Sequence, residues 1–142
     1  VCLGFALIGA GQLIHRKSLG RVDRDLILLG VYYGIVILCY ILFEMIPVNY
    51  RPVLIEGRLE ASYPSSTALL VLSVMPTLAE QAERRCRNAG LQKLLTWFSV
   101  LFSAFMVTGR LVSGVHWLTD IVGAVLLGNG LFTLYRAAVS KV

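Results

Sequence analysis

The sequence predicts an all-α integral membrane helical bundle of five apolar segments, forming one membrane-embedded domain over 1–142. Hydrophobic residues make up 57% of the chain and the mean hydropathy is +0.76, above the apolar share of a soluble domain. The apolar residues gather in runs without the polar face that helices of a soluble bundle present. The cations sit in short loops between those runs, so the net charge of +5 reads as membrane topology. No basic helix face or aromatic platform points to nucleic acid.

Residues 1–14 read as a clipped first helix, because the chain opens on Val1 already inside an apolar stretch. That opening predicts a preceding piece, and no cleavable signal peptide is recognisable. Residues 26–46 carry one charge, Glu44 near their end, and are long enough to cross a hydrocarbon core of about 30 Å. Residues 61–79 are uncharged, with Pro64 suited to the first turn of a helix. Residues 94–109 and 117–138 complete the set. Internal Gly and Pro, such as Gly30, Pro76 and Gly123, are tolerated in membrane helices and allow close approach. Cys2, Cys39 and Cys86 lack the spacing of a disulfide framework. The first two fall in apolar runs and read as buried free thiols.

Loop charges set the orientation. Arg16, Lys17, Arg21 and Arg24 follow the first segment, Arg84, Arg85, Arg87 and Lys93 follow the third, and Arg136 and Lys141 follow the last. Alternation puts these cations on one face, which the positive-inside rule makes cytoplasmic. Arg51, Arg58 and Arg110 fall on the opposite face. The expected location is therefore an integral membrane protein, in the plasma membrane, with its chemistry on the extracytoplasmic side.

On that side the chain carries Tyr50-Arg51-Pro52, Tyr63-Pro64-Ser65-Ser66-Thr67, and an Arg110-x5-His116-x3-Asp120 spacing. His116 and Asp120 are four apart, so on a helix they share a face. Asp120 can then fix the imidazole tautomer and raise the basicity of the other ring nitrogen, as a nucleophilic histidine requires. The plain alternative is an interfacial pair that caps the last helix. Arg51 and Arg110 each offer a two-pronged donor fork for phosphate oxygens, with headgroup anchoring as the alternative for Arg51. Ser65, Ser66 and Thr67 open a helix whose free N–H groups favour an anion, although serine there also serves as an ordinary cap.

This layout resembles the type 2 phosphatidic acid phosphatase family, of the phosphatidic acid phosphatase/haloperoxidase superfamily. The family's signatures are Lys-x6-Arg-Pro, Pro-Ser-Gly-His and Ser-Arg-x5-His-x3-Asp, and their order matches here over about residues 1–138. The segments would be the last five of the family's usual six membrane helices. The resemblance implies that His116 is the nucleophile forming a phosphohistidine, with Asp120 orienting it. It implies that Arg51, Arg110 and Ser65 hold the phosphate, with Ser66 in the signature's Gly position. It implies neither a metal nor a cofactor, and it implies a lipid phosphate or diphosphate as substrate.

Three positions depart from the pattern. Glu44 stands where the family has Lys, Gly109 stands for the leading Ser, and Thr67 stands for the histidine that protonates the leaving group. His15 falls on the cytoplasmic face, so it cannot substitute. General acid catalysis typically contributes ~10²–10⁴-fold, and a threonine hydroxyl cannot supply it near neutral pH. A lipid diphosphate, with a phosphate leaving group, needs that proton least. The alternative is an acid supplied by Glu60, or by Glu44 in the absent lysine's place. Two functions fit: a membrane lipid phosphatase, or a weak or silent relative that binds lipid phosphate or scaffolds membrane partners.

Overall fold

A computed structural model describes residues 1–16, 23–54 and 57–141. Lys17, Arg21 and the side chain of His15 lie outside the described residues. Five helices follow one another: α1 (Cys2–Arg16), α2 (Arg24–Met45), α3 (Ser66–Arg85), α4 (Ala89–Val112) and α5 (Leu118–Val139). Among the described residues there is no strand, only an isolated antiparallel bridge between Tyr50 and Ala61. Three helices, α2, α4 and α5, are long and apolar enough to cross a membrane. Their outward faces carry exposed Ile37, Leu38, Leu101, Phe105 and Leu126, a surface suited to hydrocarbon and costly in water.

The third segment differs from its expected form. It starts at Ser66 and runs to Arg85, past the 61–79 expected from apolarity. α3 lies at the centre, packed mainly against α4 and α5 and also against α2. Its neighbours shield it from lipid, which lets it carry buried Ser73, Thr77, Glu80 and Gln81. The Thr77 and Gln81 side chains and the Ser73 backbone carbonyl bind across helices, whereas the Ser73 hydroxyl has no hydrogen-bond partner among the described residues. Tyr32 donates to the Ser73 carbonyl at 2.9 Å, Tyr33 and Thr77 share a 2.7 Å hydrogen bond, and Gln81 donates to Tyr135 at 3.1 Å. A buried polar side chain is tolerated where such a partner exists.

Pro64 is also displaced from its expected place in the first helical turn. Its peptide with Tyr63 is cis, and Ser65 follows as the N-cap. The Ser65 N–H donates to the Asp120 carbonyl at 3.1 Å, which holds this residue outside the helix and ties the start of α3 to that of α5. Gly123 makes the second tie possible. A Cβ there would overlap the Tyr63 ring and lie 2.6 Å from its hydroxyl oxygen, so only glycine lets the ring lie on α5.

At the opposite end, Arg85 pairs with Asp23, the N-cap of α2, and with Asp25 in its first turn, at 3.3 and 2.6 Å. Glu80 pairs with Arg84 at 3.0 Å and with Arg136 on α5 at 3.3 Å. The cysteines are free as expected, but Cys2 is exposed and Cys39 only half-buried. α1 has few neighbours in the bundle to cover it.

Candidate active site

The site is assembled at the end of the bundle where α2 and α4 finish and α3 and α5 begin. Between α2 and α3 the chain doubles back. The Ser62 N–H donates to the Asn49 carbonyl at 2.9 Å, and the Arg51 N–H donates to the Glu60 carbonyl at 3.1 Å. This short pairing fixes the backbone of Arg51. Between α4 and α5 the turn uses Gly114 at φ 67°, a left-handed conformation that suits glycine. The Trp117 indole N–H then donates to the Tyr50 carbonyl at 2.9 Å, docking the turn on the Arg51 segment.

His116 does not share a helix face with Asp120, contrary to the expectation from their spacing. Helix α5 starts at Leu118, with Trp117 as N-cap and His116 just ahead of it. Asp120 occupies the third helical position, from which a carboxylate reaches back to the N-cap N–H. It accepts from the Trp117 N–H at 2.9 Å through Oδ2, and the same oxygen lies 3.4 Å from His116 Nδ1. The side chain of Asp120 is fully buried and that of His116 nearly so.

On its other side the imidazole meets Arg51, whose Nη1 is 3.4 Å from His116 Nε2. A guanidinium can only donate, so Nε2 is the acceptor and the ring proton sits on Nδ1, facing Asp120. Burial pushes the His116 pKa down, and the Arg51 charge pushes it the same way. Asp120 opposes them, and Arg110 adds to the lowering. The imidazole is therefore held neutral, with its Nε2 lone pair directed toward a cation.

The other expected residues lie around this pair. Ser65 is fully buried, and its hydroxyl has no hydrogen-bond partner among the described residues. Ser66 lines a cleft of about 20 Å³ together with Arg51 and His116. Arg110, in the last turn of α4, donates through Nη2 to Thr67 Oγ1 at 2.6 Å. Gly109 is exposed, and a Cβ added there would meet nothing within 4 Å, so its missing hydroxyl leaves no gap in packing.

Two acidic residues come closer than spacing alone revealed. Glu60 Oε2 lies 3.1 Å from Arg51 Nε. Glu44, in the last turn of α2, lines the same cleft as Arg51 and His116. Their approach depends on the doubled-back 49–62 segment, which carries no periodic signal in the sequence. No group of three His, Cys, Asp or Glu side chains comes together among the described residues.

The family model of the PAP2 superfamily matches residues 39–142. No match is found among curated proteins. A solved structure with a similar fold is a transmembrane PAP2 type phosphatidylglycerolphosphate phosphatase from Bacillus subtilis, at a TM-score of 0.72 and 24% identity. The similarity covers 97% of this chain and 68% of that one, and at this identity it speaks for the fold.

Proposed function

The chain belongs to the PAP2 superfamily, and from that premise we propose that it is a membrane phosphatase acting on a lipid phosphate or diphosphate through His116. The observation that carries this reading is the two-sided setting of the imidazole: Asp120 faces Nδ1 and Arg51 faces Nε2. In the proposed reaction the substrate phosphate enters between Nε2 and Arg51. Nε2 attacks phosphorus, the bond from phosphorus to the leaving oxygen breaks, and the lipid departs with that electron pair. The imidazolium that forms is stabilised by Asp120. Water then attacks the phosphohistidine, the P–N bond breaks, and inorganic phosphate leaves. Arg51 and Arg110 offset the charge on the equatorial oxygens, and Ser65 and Ser66 with the start of α3 supply further donors.

Thr67 already accepts from Arg110, and its hydroxyl does not titrate near neutral pH, so it is no proton donor. A leaving phosphate needs little protonation, whereas an alkoxide needs it strongly, so a lipid diphosphate is the favoured substrate. The charge of the loops favours the extracytoplasmic face for this site. The test is phosphate release by purified protein in detergent, with a prenyl diphosphate compared with phosphatidic acid. Release that His116→Ala abolishes is expected. Release that survives that substitution would remove His116 as nucleophile.

A further inference from the structure

Asn129 carries an amide to a depth where water cannot serve it. It is the twelfth of the 22 residues of α5, an apolar helix long enough to cross the membrane. A rise of ~1.5 Å per residue puts it about 15 Å from either end, at the middle of the hydrocarbon core. The residue is exposed on the outside of the bundle. Its Nδ2 donates to the Val125 carbonyl at 2.8 Å, but its Oδ1 accepts no hydrogen bond among the described residues. An amide oxygen left unpaired in hydrocarbon is costly. Val122, Leu126, Asn129 and Thr133 follow one another at spacings of four, three and four, and all four are exposed. That is the heptad spacing of a helix pair, with one polar residue inside the seam. Ile121, Ala124, Gly128 and Tyr135, which pack into the bundle, lie on the other side of α5. Thr133 returns its hydroxyl to the Asn129 backbone carbonyl at 2.8 Å, so it adds no second unpaired group to the seam.

We propose that this face of α5 is the interface of a homodimer, in which Asn129 of one copy hydrogen-bonds Asn129 of the other. Lipid tails offer the amide no donor, so the occupant of the seam is another helix. A second copy of the chain meets the requirement by itself. Identical chains enter the membrane in one orientation, which sets both Asn129 side chains at the same depth. A two-fold axis along the membrane normal then lets each side chain donate to the Oδ1 of its twin, because an amide is both donor and acceptor. The interface lies on the side of α5 away from the bundle core, and the inference does not depend on the phosphatase reading.

The test uses purified protein in vesicles, with Cys2, Cys39 and Cys86 each replaced by Ser and one cysteine added. Thr133→Cys, one turn from Asn129, should give a covalent dimer with a membrane-soluble oxidant such as copper phenanthroline. Leu101→Cys, on the exposed face of α4, is the control and should give none beyond random collision. Sedimentation of the cysteine-free protein in density-matched micelles then gives the dissociation constant. Asn129→Leu should raise that constant by about tenfold, the scale of an interhelical amide hydrogen bond. A chain that stays monomeric at every protein-to-detergent ratio would overturn the interface. So would a dimer that Asn129→Leu leaves unchanged, or one that cross-links equally through Leu101→Cys. If Asn129→Leu fails to fold, the comparison of Thr133→Cys with Leu101→Cys, both of which keep Asn129, decides alone.

Discussion

Arg110 Nη2 donates to Thr67 Oγ1 across 2.6 Å, joining the last turn of α4 to the first turn of α3. The residue in the position of the family's general acid is thereby occupied as an acceptor for a cation. Thr67 is also only half-buried, which leaves room for a larger side chain. Thr67→His should therefore raise phosphate release, and more for a monophosphate ester than for a diphosphate, because the alkoxide leaving group needs the proton more. The upper bound is ~10²–10⁴-fold. Rates for both substrates, measured side by side, check this, and an equal gain on both would point to phosphate binding instead of proton donation.

The environment of His116 sets a pH dependence with a definite sign. Burial, then Arg51, depress its pKa from 6.5, so the imidazole stays neutral to lower pH than a free one. The neutral form is the nucleophile, so activity is lost as pH falls, and the acidic limb of kcat/KM should lie below pH 6.5. Asp120 works against the depression, so Asp120→Asn should move the titration lower still. The chain holds two histidines, so His15→Gln leaves one imidazole for an NMR titration in micelles. A midpoint at or above 6.5 in the folded protein would contradict the geometry. The same shift costs stability below pH 6.5, where the unfolded chain binds the proton more readily.

Much of this was legible in the sequence, and the failures have physical causes. Arg51, Arg110, His116 and Asp120 could be found because their types and spacing carry chemistry without reference to packing. The start of α5 was legible to within one residue; what spacing did not show is that His116 stands ahead of the N-cap Trp117, and the signal available was Asp120, an acidic residue at the third helical position. α3 was misplaced toward the N-terminus, not shortened, because apolarity marks contact with lipid and the polar end of α3, from Glu80 to Arg85, is helical without being apolar. The contacts of Glu60 with Arg51 and of Thr67 with Arg110 join distant segments, which local patterns do not encode.

Gly123 tests how the α3–α5 junction is held. Gly123→Ala puts a methyl group into the Tyr63 ring, and the ring stands two residues before the N-cap Ser65. Overpacking of this kind costs about 1–3 kcal/mol. Gly130, also in α5, has nothing within 4 Å of an added Cβ, so Gly130→Ala is the control. Thermal unfolding in detergent should show a lower midpoint for Gly123→Ala alone. Equal midpoints would mean that Tyr63 moves aside at no cost.

The face on which the site works is open to chemical labelling. Arg58 lies in the segment that carries Arg51, and Arg87 lies in the loop between α3 and α4; both are exposed. With Cys2, Cys39 and Cys86 each replaced by Ser, Arg58→Cys should react in intact cells with a membrane-impermeant maleimide. Arg87→Cys should react only after permeabilisation, because its loop belongs to the strongly basic face. The reverse pattern would place the site inside the cell.

Arg51 spends two different nitrogens on two neighbours, Nε on Glu60 at 3.1 Å and Nη1 on His116 Nε2 at 3.4 Å. Glu60 braces the guanidinium from the exposed side, and the fork's other edge is left for the imidazole and the incoming phosphate. A lysine keeps the charge but has a single nitrogen, which cannot hold the brace and reach the reaction centre together. Arg51→Lys should therefore lower kcat/KM by ~10²-fold or more, the scale of losing one aligned transition-state donor. The same variant keeps a cation beside His116, so the imidazole titration should stay depressed, whereas Arg51→Gln should raise it. Kinetics and NMR titration of the two variants separate charge from geometry. If Arg51→Lys retains full activity, the positive charge alone suffices, and the two-nitrogen arrangement has no part in the chemistry.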